Sequence, residues 1–263
     1  MRYDLSVALR VYPSLNKKHL YFKTKYDLVK VCFDSLLKSL EGMAFEIMVI
    51  LDGCPSEYEN LFNQKVECGN LSIYNVDSIG NAGTFLAQVS LLCDRAKSEY
   101  VFLAEDDYFY IGKIKDLLGF AVGNSDIVDF VTPYDHPDYY RNHPFHRYRR
   151  VYLEYGNRIW KQMGSTTCTF LTTRKTLEET KDVLRYYVSL GDYFMWNLLT
   201  RKNSVLRFSH FRSLKYKMPF AIYAYLKNLS GKRYNLWAPE PTVATHLQKY
   251  CLSPGVDWDN LFT

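Results

Sequence analysis

Short unbroken apolar runs alternate, over the first 110 residues, with stretches in which apolar side chains recur every three or four positions. Residues 5–11, LSVALRV, predict a buried strand closed by Tyr12-Pro13-Ser14. Residues 26–40 place Val29, Cys32, Phe33, Leu36, Leu37 and Leu40 on one face, which predicts an amphipathic helix stopped by Gly42. A second strand over 45–51, FEIMVIL, runs into Asp52-Gly53-Cys54-Pro55, and a shorter third covers 70–76 after an intervening helical segment. Gly80-Asn81-Ala82-Gly83 opens a helix whose core face carries Phe85, Leu86, Val89 and Leu92. A fourth apolar strand, with Tyr100, Val101, Phe102 and Leu103, is interrupted within the stretch 101–110, VFLAEDDYFY, by Glu105, Asp106 and Asp107. This order predicts an α/β fold: a mainly parallel central sheet with right-handed crossovers, flanked by helices, Rossmann-like and suited to a nucleotide.

The pattern loosens after Tyr110. A short helix is expected over 113–122, a strand over 127–132, and a polar loop over 133–150. Residues 166–172 alternate as a strand does, and Thr176-Leu177-Glu178-Glu179 has capping-box form, starting a helix to about Val188. Gly191-Asp192 begins another helix, and 219–229 form a third, apolar and aromatic with basic flanks. No repeat, low-complexity tract or linker interrupts the chain. The expectation is one domain over 1–263, with 1–110 as a nucleotide-donor half and 111–263 as an acceptor half.

Composition changes this picture little. With 263 residues and 48% hydrophobic content there is ample material for a core. The 23 Tyr and 16 Phe suit grooves lined by rings, or simply a tyrosine-rich core. A formal charge of +5 favours phosphorylated ligands or an anionic surface only weakly. The 6 cysteines are unpaired in spacing, and no run is long enough to span a membrane, so a soluble, cytoplasmic protein with free thiols is expected.

The three adjacent acids are the strongest chemical signal. Ligands collect where α/β strands end, and adjacent carboxylates repel unless a cation sits among them. A hard divalent ion with oxygen ligands would relieve that repulsion, although a solvated acidic turn has the same sequence.

Taken in order, these motifs resemble the GT-A glycosyltransferases, most nearly the inverting family 2. The resemblance sets Glu105-Asp106-Asp107 in the place of the family's D-x-D motif, with Asp107 as direct metal ligand, Asp106 at the ribose or metal waters, and Glu105 behind them. It implies that Tyr12, Pro13, Asp52, Asn81 and Gly83 surround the base, ribose and diphosphate. Asp52 could accept from a uracil N3–H, and the glycine-rich helix start could offer backbone donors to phosphate. Gly164-Ser165-Thr166 resembles the loop bordering the acceptor. Asp192 stands at the catalytic-base position, with Gly191 where relatives often carry Glu. Val243-Ala244-Thr245-His246 resembles the C-terminal metal-binding segment, with His246 as ligand and His210 in reserve. The implied cofactor is Mn2+ or Mg2+, the donor a UDP-sugar, and the acceptor a hydroxyl on a glycan or related molecule.

Other readings remain. His136, His143 and His146 match no helical zinc spacing. Their loop suits an acidic or sugar acceptor, and its interleaved Arg and Tyr would also suit single-stranded nucleic acid, though nucleic acid is the weaker partner. The basic, aromatic stretch 215–237 could be a lid, ordinary packing or a peripheral membrane contact. A nucleotidyltransferase would use the same carboxylates, and a binding module would hold a ligand without turnover.

Overall fold

The computed structural model describes residues 3–15, 21–66, 70–141, 146, 148–202 and 217–262. Strands β1 (Leu5–Val11), β2 (Phe45–Asp52), β3 (Leu71–Val76) and β4 (Tyr100–Glu105) are joined through helices α1 (Lys25–Ser39), α2 (Ser56–Asn63) and α3 (Gly80–Arg95). Every residue of β1 is buried, because β1 lies between two parallel neighbours and under helices on both faces. It pairs with β2 on one side and β4 on the other, with Arg10 opposite Glu105. The strand order therefore reverses between β1 and β4, which leaves a crevice beyond their carboxyl ends.

The second half extends the same sheet. It contributes β5 (Tyr108–Tyr110), α4 (Ile114–Gly123), β6 (Phe130–Val131), β7 (Tyr152–Tyr155), β8 (Arg158–Met163) and β9 (Phe170–Thr173). Helices α5 (Arg174–Leu184), α6 (Tyr187–Leu190), α7 (Asp192–Thr200) and α8 (Met218–Asn228) follow, then β10 (Leu236–Glu240), β11 (Ala244–His246) and α9 (Trp258–Phe262). Among the described residues the large sheet has nine strands, in the order β3-β2-β1-β4-β9-β6-β10-β8-β7. Strand β9 runs antiparallel between β4 and β6, and β8 runs antiparallel between β10 and β7. One face is covered by α1, α2 and α4 with Phe33, Phe62, Phe120 and the stacked Trp160. The other is covered by α3, α5 and α7 with Phe85, Leu177 and Trp196. This is the expected α/β architecture.

Several boundaries move for identifiable reasons. The strand expected over 166–172 begins only at Phe170, because Thr166 and Thr169 turn their hydroxyls to Thr132 and Glu105 instead of joining a ladder. Helix α5 starts earlier than the capping-box reading, since the cap is Thr173, whose hydroxyl accepts from Thr176 N at 3.0 Å. It also ends before 188, at Leu184. The β7–β8 hairpin, turning at Gly156 with φ 62°, lay inside a stretch with no strand prediction.

A small second sheet matters most for chemistry. Strand β11 pairs antiparallel with β5, so His246 stands opposite Tyr108. Backbone bonds from Ile111 N to Val243 O and from Leu247 N to Asp107 O close the pair at both ends.

Candidate active site

The crevice at the strand reversal is a cleft of about 540 Å³. The three acids that end β4 stand in its wall, and they diverge. Glu105 pairs with the Arg10 guanidinium and accepts from Thr169 Oγ1 at 3.0 Å. Asp106 accepts from Lys25 Nζ at 2.7 Å and from Tyr12 N at 2.8 Å. Asp107 Oδ2 lies 2.9 Å from His246 Nε2 and 3.3 Å from Gln248 Nε2. Each carboxylate thus meets its own basic side chain, from β1, α1 and β11 respectively. Repulsion among the acids is relieved by protein cations, so that repulsion alone does not call for a metal.

The electrostatics follow from this pairing. Burial pushes the Asp106 carboxyl up and Lys25 pulls it back, with a net rise above its ordinary value. Burial opposes a charge on His246, but the Asp107 carboxylate outweighs it and raises the imidazole from 6.5 to about 10. The His246 ring also stacks on Tyr108, with centroids 5.0 Å apart and planes within 9°.

Asp52 is fully buried at the end of β2. Its two oxygens accept from Ile79 N at 2.7 Å and Gly80 N at 2.8 Å, at the start of α3. The carboxylate therefore caps the helix entry, where the helix dipole favours negative charge. Each of its oxygens accepts one backbone N–H and keeps a further lone pair, and Asp52 also lines the cleft. Asn81 bridges Arg10, which donates to its carbonyl at 2.6 Å, and Tyr187, whose hydroxyl accepts from Nδ2 at 2.8 Å. Gly83 does not line the cleft: a Cβ there would meet Ile79 Cβ at 2.9 Å, so its role is close packing inside the first turn. Pro13 does not line the cleft either, whereas Tyr12 does, with its ring half exposed.

Asp192 opens α7, and its Oδ1 accepts from Tyr193 N at 2.7 Å. Burial raises its pKa above the ordinary carboxylate value. The preceding Gly191 has φ 79°, a left-handed conformation that glutamate adopts at a cost, and it makes the reversal between α6 and α7. Asp192 and Thr167 line both the large cleft and a second one of about 270 Å³. Ser165, Thr166, His136 and His146 line the second cleft. His143 and His210 lie outside the described residues.

The fold thus gathers Tyr12, Asp52, Asn81, Glu105, Asp106, Asp107, Asp192 and His246 around one cleft. Sequence reasoning missed Arg10, Lys25, Tyr187 and Gln248 there. Arg10 carried a readable signal, as the one charged residue in a mostly apolar strand. Lys25 and Gln248 carried none, since polar residues flank every helix and strand. Among the described residues no group of three or more His, Cys, Asp or Glu could hold a metal by itself. Among them, too, no helix is long and apolar enough to cross a membrane.

The sequence matches no protein-family model and no curated protein. Among solved structures, it is similar to galactosyltransferase LgtC in complex with donor and acceptor sugar analogs, at TM-score 0.42 and 10% identity, over 66% of this chain and 59% of that one. It is similar also to S. aureus TarS 1–349 in complex with UDP, at TM-score 0.46 and 14% identity, over 89% of this chain and 60% of that one. The chain spans less than two thirds of the length of either. At TM-scores this low the likenesses carry no functional weight.

Proposed function

We propose that the protein is a single-domain GT-A glycosyltransferase that moves a sugar from a UDP-sugar to a hydroxyl acceptor with inversion. The observation supporting this most is the position of Asp192 at the junction of two clefts. A group that takes a proton from an acceptor must reach acceptor and donor at once.

The larger cleft would hold the nucleotide, with the Tyr12 ring as a face for the base. Five carboxylates line it, Asp52, Glu105, Asp106, Asp107 and Asp192, against three cationic side chains, Arg10, Lys25 and His246, so the acids outnumber the cations that a bare diphosphate would meet. Asp107 and His246 would hold Mn2+ or Mg2+, the imidazole giving up its proton to solvent when the ion replaces the hydrogen bond between them. One carboxylate and one neutral imidazole suit such an ion, whose remaining ligands would be phosphate oxygens and water. When bound, the ion supplies the positive charge that a departing diphosphate needs. Arg10 and Lys25 hold Glu105 and Asp106 in place. Asp192 accepts the acceptor's hydroxyl proton as the oxygen forms its bond to the anomeric carbon and the bond to the diphosphate breaks on the opposite face. Burial of Asp192 strengthens it as a base. The second cleft, with its hydroxyls and imidazoles, would seat the acceptor.

The test is thermal unfolding with UDP, GDP or CMP, each with Mn2+ or with EDTA. UDP with Mn2+ at about a hundred times its Kd should stabilise the protein by about 2.7 kcal/mol. Asp107→Ala should lose most of this. Stabilisation by GDP or CMP and not UDP would overturn the donor, and UDP binding indifferent to EDTA would overturn the metal.

A further inference from the structure

Helix α8 is built inside out for a helix facing water. Its inward positions carry small side chains, Ala221 and Ala224, which pack on Leu190, Phe194 and Leu198. Its outward positions carry large apolar ones: Tyr223 is 58% exposed and Leu226 62%, flanked by Phe220 and Ile222. Four such residues on adjacent turns form a continuous apolar strip, where a surface helix ordinarily carries charge.

The sequence on either side of α8 is one-sided in charge. Between positions 193 and 239 Lys and Arg occur nine times, and Asp and Glu not at all. The chain's formal charge is only +5, so the remainder is net negative. Lys217 and Lys227, at the two ends of α8, are exposed.

We infer that the outer face of α8 docks on an anionic phospholipid bilayer, lying in the interface with Tyr223 and Leu226 in the acyl boundary and lysines at the headgroups. An apolar strip bordered by cations is the pattern that such a surface complements, because burial and electrostatic attraction act together. A second copy of the chain is a poorer occupant, since a self-complementary contact would bring like charges face to face. The contact lies on the acceptor side: α8 packs on α7, which begins at Asp192, and Lys217 Nζ donates to Ser189 O at 2.6 Å. The inference stands whether or not the protein transfers sugars, because it concerns binding alone.

The experiment is co-sedimentation of the full chain with vesicles of phosphatidylcholine, alone or mixed with phosphatidylglycerol. The wild type should partition to the mixed vesicles at least about tenfold better than to the neutral ones, and high salt should remove that gain. The double variant Tyr223→Ser/Leu226→Ser, whose changes are at exposed positions, should unfold at the same temperature and lose about tenfold in partitioning. Failure to bind the mixed vesicles, or equal binding by the variant, would overturn the inference. So would a concentration-dependent dimer that the variant abolishes without any vesicle binding.

Discussion

His246 Nε2 stands 2.9 Å from Asp107 Oδ2, across 139 positions of sequence. The pair is made by β5 and β11, a two-stranded sheet set apart from the main one. Tyr108 stacks on the imidazole from the next position along β5, which fixes the ring's plane.

This pairing gives stability a pH dependence. The His246 pKa is raised from 6.5 to about 10 on folding. Its stabilising contribution is therefore full below 6.5 and is lost as pH rises through about 10. In EDTA, urea midpoints measured over that range should fall more steeply for the wild type than for His246→Gln. Parallel curves would remove the pair from the account of stability.

Asp192 gives the same direction of pH dependence for a different reason, because here the charged form is the unfavourable one. Burial raises its pKa, so its ionised form disfavours the folded state and the cost grows above the ordinary carboxylate range. Asp192→Asn keeps an oxygen to accept from Tyr193 N and removes the charge. The variant should unfold at an equal or higher temperature near neutral pH, while sugar transfer falls by about a hundredfold to ten-thousandfold. Retained transfer would exclude Asp192 as the base.

Arg10 and Glu105 form an ion pair at the carboxyl ends of β1 and β4, with side chains 6% and 20% exposed. Arg10→Met would strand the Glu105 carboxylate beside Thr169. A loss of about 3 kcal/mol is expected in denaturant unfolding. Adding Glu105→Gln should restore part of it, and simple additivity of the two changes would show that the pair is not coupled.

Asp52→Ala removes both acceptors at the start of α3, for Ile79 N and Gly80 N. About 2 kcal/mol of stability should go with them. Discrimination between UDP and GDP, read as thermal shifts, should be unchanged relative to wild type. A selective loss of UDP recognition would instead give Asp52 a role at the base.

How much of this was legible in the chain depended on how local each signal was. Residues 5–11 and 45–51 are predominantly apolar, with only Ser6, Arg10 and Glu46 as exceptions, so burial was written into their composition, and β1 and β2 fall where those runs do. The helical spacing of Val29, Cys32, Phe33 and Leu36 likewise marked the inward face of α1. The motif residues at strand ends and helix starts converge because α/β topology delivers such ends to one crevice. Strands β8 and β10 were not visible, since Arg158–Met163 and Leu236–Glu240 mix charged, polar and aromatic side chains whose burial depends on the sheet they join.

Sequence by itself determined the alternation of strands and helices, the placing of acids at the end of the fourth strand, and the candidates around them, because each rests on side chains within a few residues of one another. Only tertiary structure decided which cation each acid faces, that Asp52 spends its oxygens on Ile79 and Gly80, and that Asp192 stands between two clefts. Those partners come from elements far apart in the chain, and an ion pair or a shared wall is set by distance in space, on which spacing along the backbone places almost no constraint.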